Sequence, residues 1–436
     1  MNGQERTGGQ AGSKDLLAPG WTRPHLLKET LRIYDVCDGC RRCFNLCPSF
    51  NTLFDRVDKH ESQVQALEPA DHEQIVRECY YCKLCYNHCP YTPPHQYQLD
   101  FPRLMIAWKR SLSEEQGTSW RDRVLVRTDA LGRLASRMAA VTNWALRTGW
   151  IRGLMERIMG IHRERRVLPY HSESFPRWWA RRPRPEQPAG GPTGKVAVFS
   201  GCLVNFQATE VGKALVQVLE KNRLEVVVPA HQCCGMPSFD IGDVDGITRT
   251  LRANLAVLNP WLEAGYDVVV PVPSCSLMLK REYPALLPGV ETERLAQRTF
   301  DVCEYLMRMK RAGTLASDFP VRPGRVTYQI PCHLRDQNIG FKSKELMELA
   351  GAQVEVIERC TGHDGTWGAK QEFFPPSMMI ARKAVRAIEQ APADLLASDC
   401  PLAAVQLEQA MASEPGGGRR VLHPIQIVRD AYGLPS

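Results

Sequence analysis

The stretch GKVAVFSGC, residues 194–202, returns as GRVTYQIPC at residues 324–332. Each copy has a glycine and a basic residue, a short run that favours a strand, and a cysteine in the ninth place. Two further landmarks follow each copy in the same order. HQCCGMP (231–237) is answered by ERCTGHDG (358–365), and DVVVPVPSC (267–275) by DLLASDC (394–400). Three landmarks recurring in order at similar intervals mark an internal duplication. Between them lie amphipathic stretches such as ATEVGKALVQVLEKN (208–222) and KSKELMELAGA (342–352). Short apolar strands alternating with helices predict an α/β arrangement with a parallel sheet in each half. Cysteines at the strand ends then converge on one mouth, where open α/β sheets place their ligands. The candidates are Cys202, Cys233, Cys234 and Cys275 in the first half, and Cys332, Cys360 and Cys400 in the second.

Upstream, CDGCRRCFNLCP (37–48) is repeated as CYYCKLCYNHCP (79–90). Both runs follow C-x2-C-x2-C-x3-C-P, the bacterial ferredoxin pattern in which thiolates hold [4Fe–4S] clusters. Three closely spaced thiolates serve one cluster, and the cysteine before proline serves its neighbour. The pattern therefore assigns Cys37, Cys40, Cys43 and Cys89 to one cluster, and Cys79, Cys82, Cys85 and Cys47 to the other. Zinc is the competing reading of C-x2-C pairs, but zinc sites use two pairs, not two sets of four each closed by proline. The 31 residues from Pro48 to Glu78 include helix-compatible HEQIVREC. They predict a mostly helical module, as in succinate dehydrogenase iron–sulfur subunits. Arg41, Arg42 and Lys83, lying between the ligands, either raise the potentials, dock a partner or face solvent.

The chain has 436 residues, a net charge of +7 and 16 cysteines. Its N-terminus is polar and Gly-rich, without an apolar segment of the export type, which makes a reduced cytoplasmic chain the expectation and turns the cysteines toward metals and redox chemistry. Residues 101–184 hold 18 Arg and Lys against 7 Asp and Glu, with six of the nine tryptophans. Leu134, Met138, Val141 and Ala145 form one helical stripe there, and Trp150, Ile151, Leu154, Met155 and Ile158 a second. Basic amphipathic helices with tryptophan are the pattern of a peripheral membrane contact. The alternative is that both stripes pack between domains. No nucleic-acid-binding motif accompanies the charge. Cys303 reads as a buried structural thiol and His423 as a structural histidine. The loop GHDGTWGAK (362–370) is the leading candidate contact to a cofactor, with Gly235, Gly362 and His363 as cofactor-binding residues.

The C-terminal half resembles the CCG domain family, named for C-x(n)-CCG-x(n)-C-x-x-C, which includes heterodisulfide reductase B-type subunits. Two ferredoxin ladders followed by two CCG-type halves look most like the C-type subunits of anaerobic glycerol-3-phosphate dehydrogenases and their heterodisulfide-reductase-related relatives. The family's final C-x-x-C is broken in both halves, by Met278 in PSCSLM and by Ala403 in CPLA, and the second half reads CTG for CCG. The first half keeps four thiols, enough for a four-thiolate cluster. The second keeps three, which leaves open a cluster with one unliganded iron, a cluster with His333 or His363 as extra ligand, or a vacant, redox-active or substrate-facing pocket.

The fold class expected is multidomain α+β. Residues 1–30 are a disordered tail, 31–100 the two-[4Fe–4S] domain and 101–193 a helical basic connector. The CCG-type halves are 194–320 and 321–436. No Rossmann G-x-G-x-x-G follows a strand. The resemblance implies an iron–sulfur electron-transfer subunit that is fed by a flavoprotein dehydrogenase or other redox partner. It would deliver to a quinone or a redox protein, from the cytoplasm or the inner face of the cell membrane. The alternative is a heterodisulfide-reductase-like catalyst acting on a disulfide or a peroxide-derived substrate.

Overall fold

The computed structural model describes residues 22–183, 191–391, 393–412 and 418–435. They fall into two compact units. One runs up to Thr118 and includes Ser238–Val244, and the other is Ser119–Pro237 with the residues from Asp245 onward. The segment expected as a single connector is therefore divided, because the helix Phe101–Gln116 buries Phe101 to Trp108 in the first unit. The expected N-terminal tail is also shorter at its C-terminal end, since a helix starts at Arg23. Residues 1–21 of that tail lie outside the described residues.

The first unit is helical, as its sequence predicts. Helices Arg23–Cys40, Pro48–Asp58, Pro69–Glu78 and Phe101–Gln116 surround an aromatic core. Phe50 stacks on Phe101 at 4.4 Å, and Tyr34, Phe54 and Ile33 are almost fully buried with it. The indole N–H of Trp108 donates to the Thr30 hydroxyl at 2.6 Å, satisfying a polar atom that burial would otherwise leave costly. The two ladders share a backbone feature. Arg41 and Lys83, each following the second cysteine of its ladder, both adopt the left-handed conformation, which turns the chain sharply between ligands.

The second unit contains both repeats. Strands β1 (Gly194–Val198), β2 (Leu224–Val227), β3 (Asp267–Val270) and β4 (Thr299–Asp301) form a parallel sheet of order β2-β1-β3-β4. Strands β5 (Arg325–Gln329), β6 (Gln353–Ile357), β7 (Leu395–Ala397) and β8 (Val421–Leu422) repeat that order as β6-β5-β7-β8. The sequence duplication is thus a duplication of topology. The order reverses direction between β1 and β3, and between β5 and β7, which is where doubly wound sheets open a crevice at their strand ends.

The halves are joined by reciprocal contacts. The hydroxyl of Ser274, next to Cys275, meets Nδ1 of His333 at 2.9 Å. His423 caps the helix Pro424–Ala431 by accepting from the Ile425 N–H, and its Nε2 donates to the Pro271 carbonyl at 2.9 Å. Its counterpart, Asp301, caps Val302–Arg311 and lies with Cys303 beside Asp399 of the other half. Burial, and then the Asp399 charge, push the Asp301 carboxyl well above the usual carboxylate range. Cys303 is fully buried in that helix and His423 is engaged at both ring nitrogens.

The helices Thr128–Arg137, Ala139–Arg147 and Gly149–Met159 belong to this unit, with a break at Met138 inside the first stripe. Their burial is inverted. In the first two helices the side turned inward is made of small residues, Gly132, Ser136 and Ala139, and a Cβ on Gly132 would collide with Phe206, while the third helix buries Arg152. The large residues face out, with Leu134 and Trp144 each 59% and Trp150 70% exposed. Arg133, Arg137, Arg147 and Arg157 are exposed among them. Among the described residues no helix is long and apolar enough to cross a membrane.

Candidate metal centres

In the first unit the chain brings ladder thiols from both runs together. Burial pushes the Cys37 thiol well up, and the nearby Cys43, Cys89 and Cys40 push it further. Cys43, raised to about 12 by burial first, is acted on next by Cys89 and Cys40. Cys85 is raised by burial and then by Cys47, Cys79, Cys43 and Cys37. So Cys89 lies with the first ladder and Cys47 with the second, and the two sets adjoin. Helix geometry supplies the placement. Cys47 is the N-cap of Pro48–Asp58, with proline at the first helical position, where the absent N–H costs nothing. Arg41 is tied to Asp38 and Asp58, and Lys83 is buried with its ammonium near the rings of Tyr81 and Tyr86.

The cysteines of the second unit stand at the strand ends. In the first half Cys202 lies in the first turn of Gly201–Phe206, just past β1, and Cys275 in Pro273–Leu277, just past β3. Cys202 and Cys233 are 3.6 Å apart at sulfur, and Cys234 bears on both Cys233 and Cys275. The backbone at Gly201 is left-handed, and a Cβ there would come within 2.9 Å of the Cys275 sulfur, so glycine keeps this wall of the site open. Tyr283 donates to the Cys234 carbonyl and Asn254 to the Cys233 carbonyl, each at 3.0 Å, fixing the CCG turn from behind.

Two groups at this site escape a reading of cysteine spacing. Asp129, from the helix Thr128–Arg137, accepts from the Cys233 N–H at 2.6 Å. Burial, then the neighbouring Cys233, raise its carboxyl to about 6. The Thr128 hydroxyl is buried beside Cys202 and Cys233 with no conventional hydrogen-bond acceptor. Both come from a segment more than sixty residues upstream of β1, and nothing in their local sequence announces the role.

In the second half Cys332 begins the helix Cys332–Asp336 and Cys400 caps Pro401–Met411. Burial, then Cys360 and Cys400, raise the Cys332 thiol. Nε2 of His363 lies 3.6 Å from the Cys400 sulfur, and Nδ1 lies 2.7 Å from the Thr361 hydroxyl. Burial and then the charges of Arg165 and His333 push the His363 imidazole down to about 3, so it is neutral at physiological pH. The other histidine candidate, His333, is turned to Ser274. Cys400 also feels Cys275 of the first half, so the two thiol sets face one another within this unit.

The glycine candidates have a packing reason as well as a ligand-side one. A Cβ at Gly235 would strike Ile247, and one at Gly362 would come 2.5 Å from the Ser377 carbonyl oxygen. On the site side, the Gly362 N–H donates to the Cys360 sulfur at 3.3 Å, and the Gly235 N–H acts likewise on Cys233. The rest of the loop to Lys370 is a packed turn. Trp367 is buried against Phe373, and Lys370 pairs with Asp122 at 2.8 Å.

This donor set fits iron–sulfur clusters. Several of these crowded thiols, Cys37, Cys43, Cys85 and Cys332 among them, are pushed up by burial and by their neighbours, an arrangement that is costly unless a positive metal centre takes their protons' place. N–H groups at helix starts and glycines aimed at sulfur favour thiolate and are what tune a cluster. The buried Thr128 hydroxyl, set against the Cys202 and Cys233 sulfurs, is placed to donate to thiolate.

Comparison with known proteins agrees. Residues 196–280 and 326–408 each match the cysteine-rich domain CCG, and residues 30–114 match the citrate utilization protein B Fer4-like domain. The C-type subunit of the anaerobic glycerol-3-phosphate dehydrogenase of Escherichia coli K12 is 29% identical over 317 residues, covering 72% of this chain and 77% of that one. Lactate utilization protein A of Bacillus pumilus is 30% identical over 254 residues, covering 56% of this chain and 99% of that one. The B-type subunit of the CoM/CoB fumarate reductase of Methanothermobacter marburgensis is 28% identical over 250 residues, covering 55% of this chain and 47% of that one. The chain belongs to the CCG family, carrying the cysteine-rich domain twice behind a Fer4-like domain.

Proposed function

We propose that this chain is the iron–sulfur electron-transfer subunit of an oxidoreductase complex. It takes electrons from a flavoprotein dehydrogenase partner and passes them to a quinone at a membrane surface or to a redox protein. The observation that carries the reading is the exchange of cysteines between the ladders. Cys89 serves the first set and Cys47 the second, so the two sites adjoin and the module works as a wire. Iron–sulfur clusters, when bound, supply one-electron carriers whose potentials follow charge, burial and hydrogen bonds to sulfur. The chain's own part is to hold the thiols in place, keep water from them and aim N–H groups such as those of Gly235 and Gly362 at sulfur. Relatives named as subunits of glycerol-3-phosphate dehydrogenase and fumarate reductase support a role within a larger assembly.

The outward face of Leu134, Met138, Val141, Trp144, Trp150, Leu154 and Ile158, set among arginines, supports a membrane-side acceptor. An apolar face that buries its small residues and exposes its large ones is wasteful in water and suited to a lipid interface. The alternative of disulfide reduction at the CCG-type centre has less support. Met278 and Ala403, at the positions of the missing cysteines, are packed in the core.

The test is iron and acid-labile sulfide per chain on anaerobically purified protein. About twelve or more of each supports a path continuing from the ladders into the CCG-type domain. About eight restricts cluster chemistry to the ladders and overturns that path.

A further inference from the structure

Aligning the second landmark of each repeat, Cys233 on Cys360, shows how the second half departs from the first. Cys233-Cys234-Gly235-Met236 corresponds to Cys360-Thr361-Gly362-His363. The second half has lost one thiol and gained, two residues on, an imidazole. In the structure these two changes meet. The hydroxyl of Thr361, at the place of the lost cysteine, holds Nδ1 of His363 at 2.7 Å, and Nε2 of the same ring lies 3.6 Å from the Cys400 sulfur.

We propose that His363 replaces the missing cysteine as a metal ligand, so that Cys332, Cys360, Cys400 and His363 bind an iron–sulfur cluster of mixed thiolate–imidazole ligation. The inference deepens the electron-transfer reading and rests on it. Two features beyond proximity carry it. Thr361 holds Nδ1 of the ring and turns Nε2 toward the thiols, and a proton on Nδ1 would leave the Nε2 lone pair for a metal, the hydrogen-bonding arrangement that fixes the tautomer of metal-bound histidines. The loop carrying the ring is closely packed. Gly362 is left-handed with a carbonyl 2.5 Å from where a Cβ would sit, and Trp367 stacks on Phe373. Replacing an anionic thiolate by a neutral imidazole leaves the cluster less negative and raises its potential. The duplication would then have produced two facing centres of unequal potential, with electrons running downhill from the all-thiolate first half to the mixed-ligand second half.

The experiment uses the full chain, purified anaerobically with 15N-labelled histidine, and pulsed EPR of a cluster poised paramagnetic. The expected result is a strong 15N hyperfine coupling in the wild type. In His363→Cys it is absent, with iron and sulfide per chain unchanged and the highest midpoint potential shifted down. His333→Gln, the control, keeps the coupling. A wild-type protein with twelve irons and no histidine coupling overturns this inference and leaves the electron-transfer reading standing. So does a coupling that survives His363→Cys. Only eight irons per chain overturns this inference together with the path into the CCG-type domain, and leaves the ladders as the electron-transfer module. His363→Ala, losing about four irons while Thr361→Ser loses none, separates loss of a ligand from loss of the fold.

Discussion

The two halves of the second unit share one frame and differ in what they present at its mouth. Strand order, the cysteines at the ends of the first and third strands, and a capping residue after the fourth strand are the same in both. The first half closes its site with four thiols, a CCG turn braced by Tyr283 and Asn254, and a carboxylate from Asp129. The second has three thiols, a threonine and a histidine, with Arg165 acting on that histidine. The frame depends on burial of strands and helices, which tolerates any residue of suitable size at the mouth. The mouth depends on donor chemistry, which tolerates almost none. A duplicated fold can therefore diverge at its ligands without cost to its core.

The largest effect should come from breaking the fuller site. Cys234→Ala or Cys275→Ala removes a thiol from the four-thiol set, and iron and sulfide should each fall by about four per chain while the ladders stay loaded. Equal loss from Cys303→Ala would contradict the assignment, since that thiol is buried beside Asp301 and Asp399 and belongs to neither set of candidate donors.

Next in size is the backbone of the mouth. Gly362→Ala places a left-handed alanine against the Ser377 carbonyl oxygen, which cannot move aside. It should cost about 3 kcal/mol, read as a lower urea midpoint at unchanged m value. Gly235→Ala meets only the tip of the Ile247 side chain and should cost roughly half of that. The reverse order would mean that the CCG turn of the first half, not the CTG turn of the second, is the stiffer support.

A smaller effect tests orientation. Thr361→Ala leaves the three thiols and the imidazole in place but frees the ring at Nδ1. Loss of such a partner typically weakens metal affinity about 10–100-fold, so iron should leave faster to a chelator from the second half alone. Thr361→Cys sharpens the comparison by restoring the CCG turn. It should hold iron in the second half even when combined with His363→Ala.

The smallest effect on stability should accompany a large effect on location. Trp144 and Trp150 are mostly exposed, so changing both to alanine should alter unfolding free energy by no more than about 1 kcal/mol. Binding to anionic liposomes should fall at least tenfold. Unchanged binding would remove the membrane reading of this face.

Much of this could be read from the chain before any folding. The ladder spacings name eight cysteines and their proline-closed registers, because ligands three or four residues apart are bound to share a tight turn. The duplication, the parallel α/β class and the convergence of cysteines at strand ends follow from periodicity and landmark order. Tertiary structure alone decided the rest. It turned His363 toward Cys400 and His333 away to Ser274, a choice that two equally plausible histidines in sequence left open. It brought Asp129 and Thr128 from a distant helix to the first-half thiols. It also turned the connector's large apolar residues outward and its small ones in, because Phe206 packs into the space that Gly132 leaves. Spacing along the chain determines which groups share a loop or a face. Which faces meet is decided by how the whole unit buries its surface, and no local pattern records that.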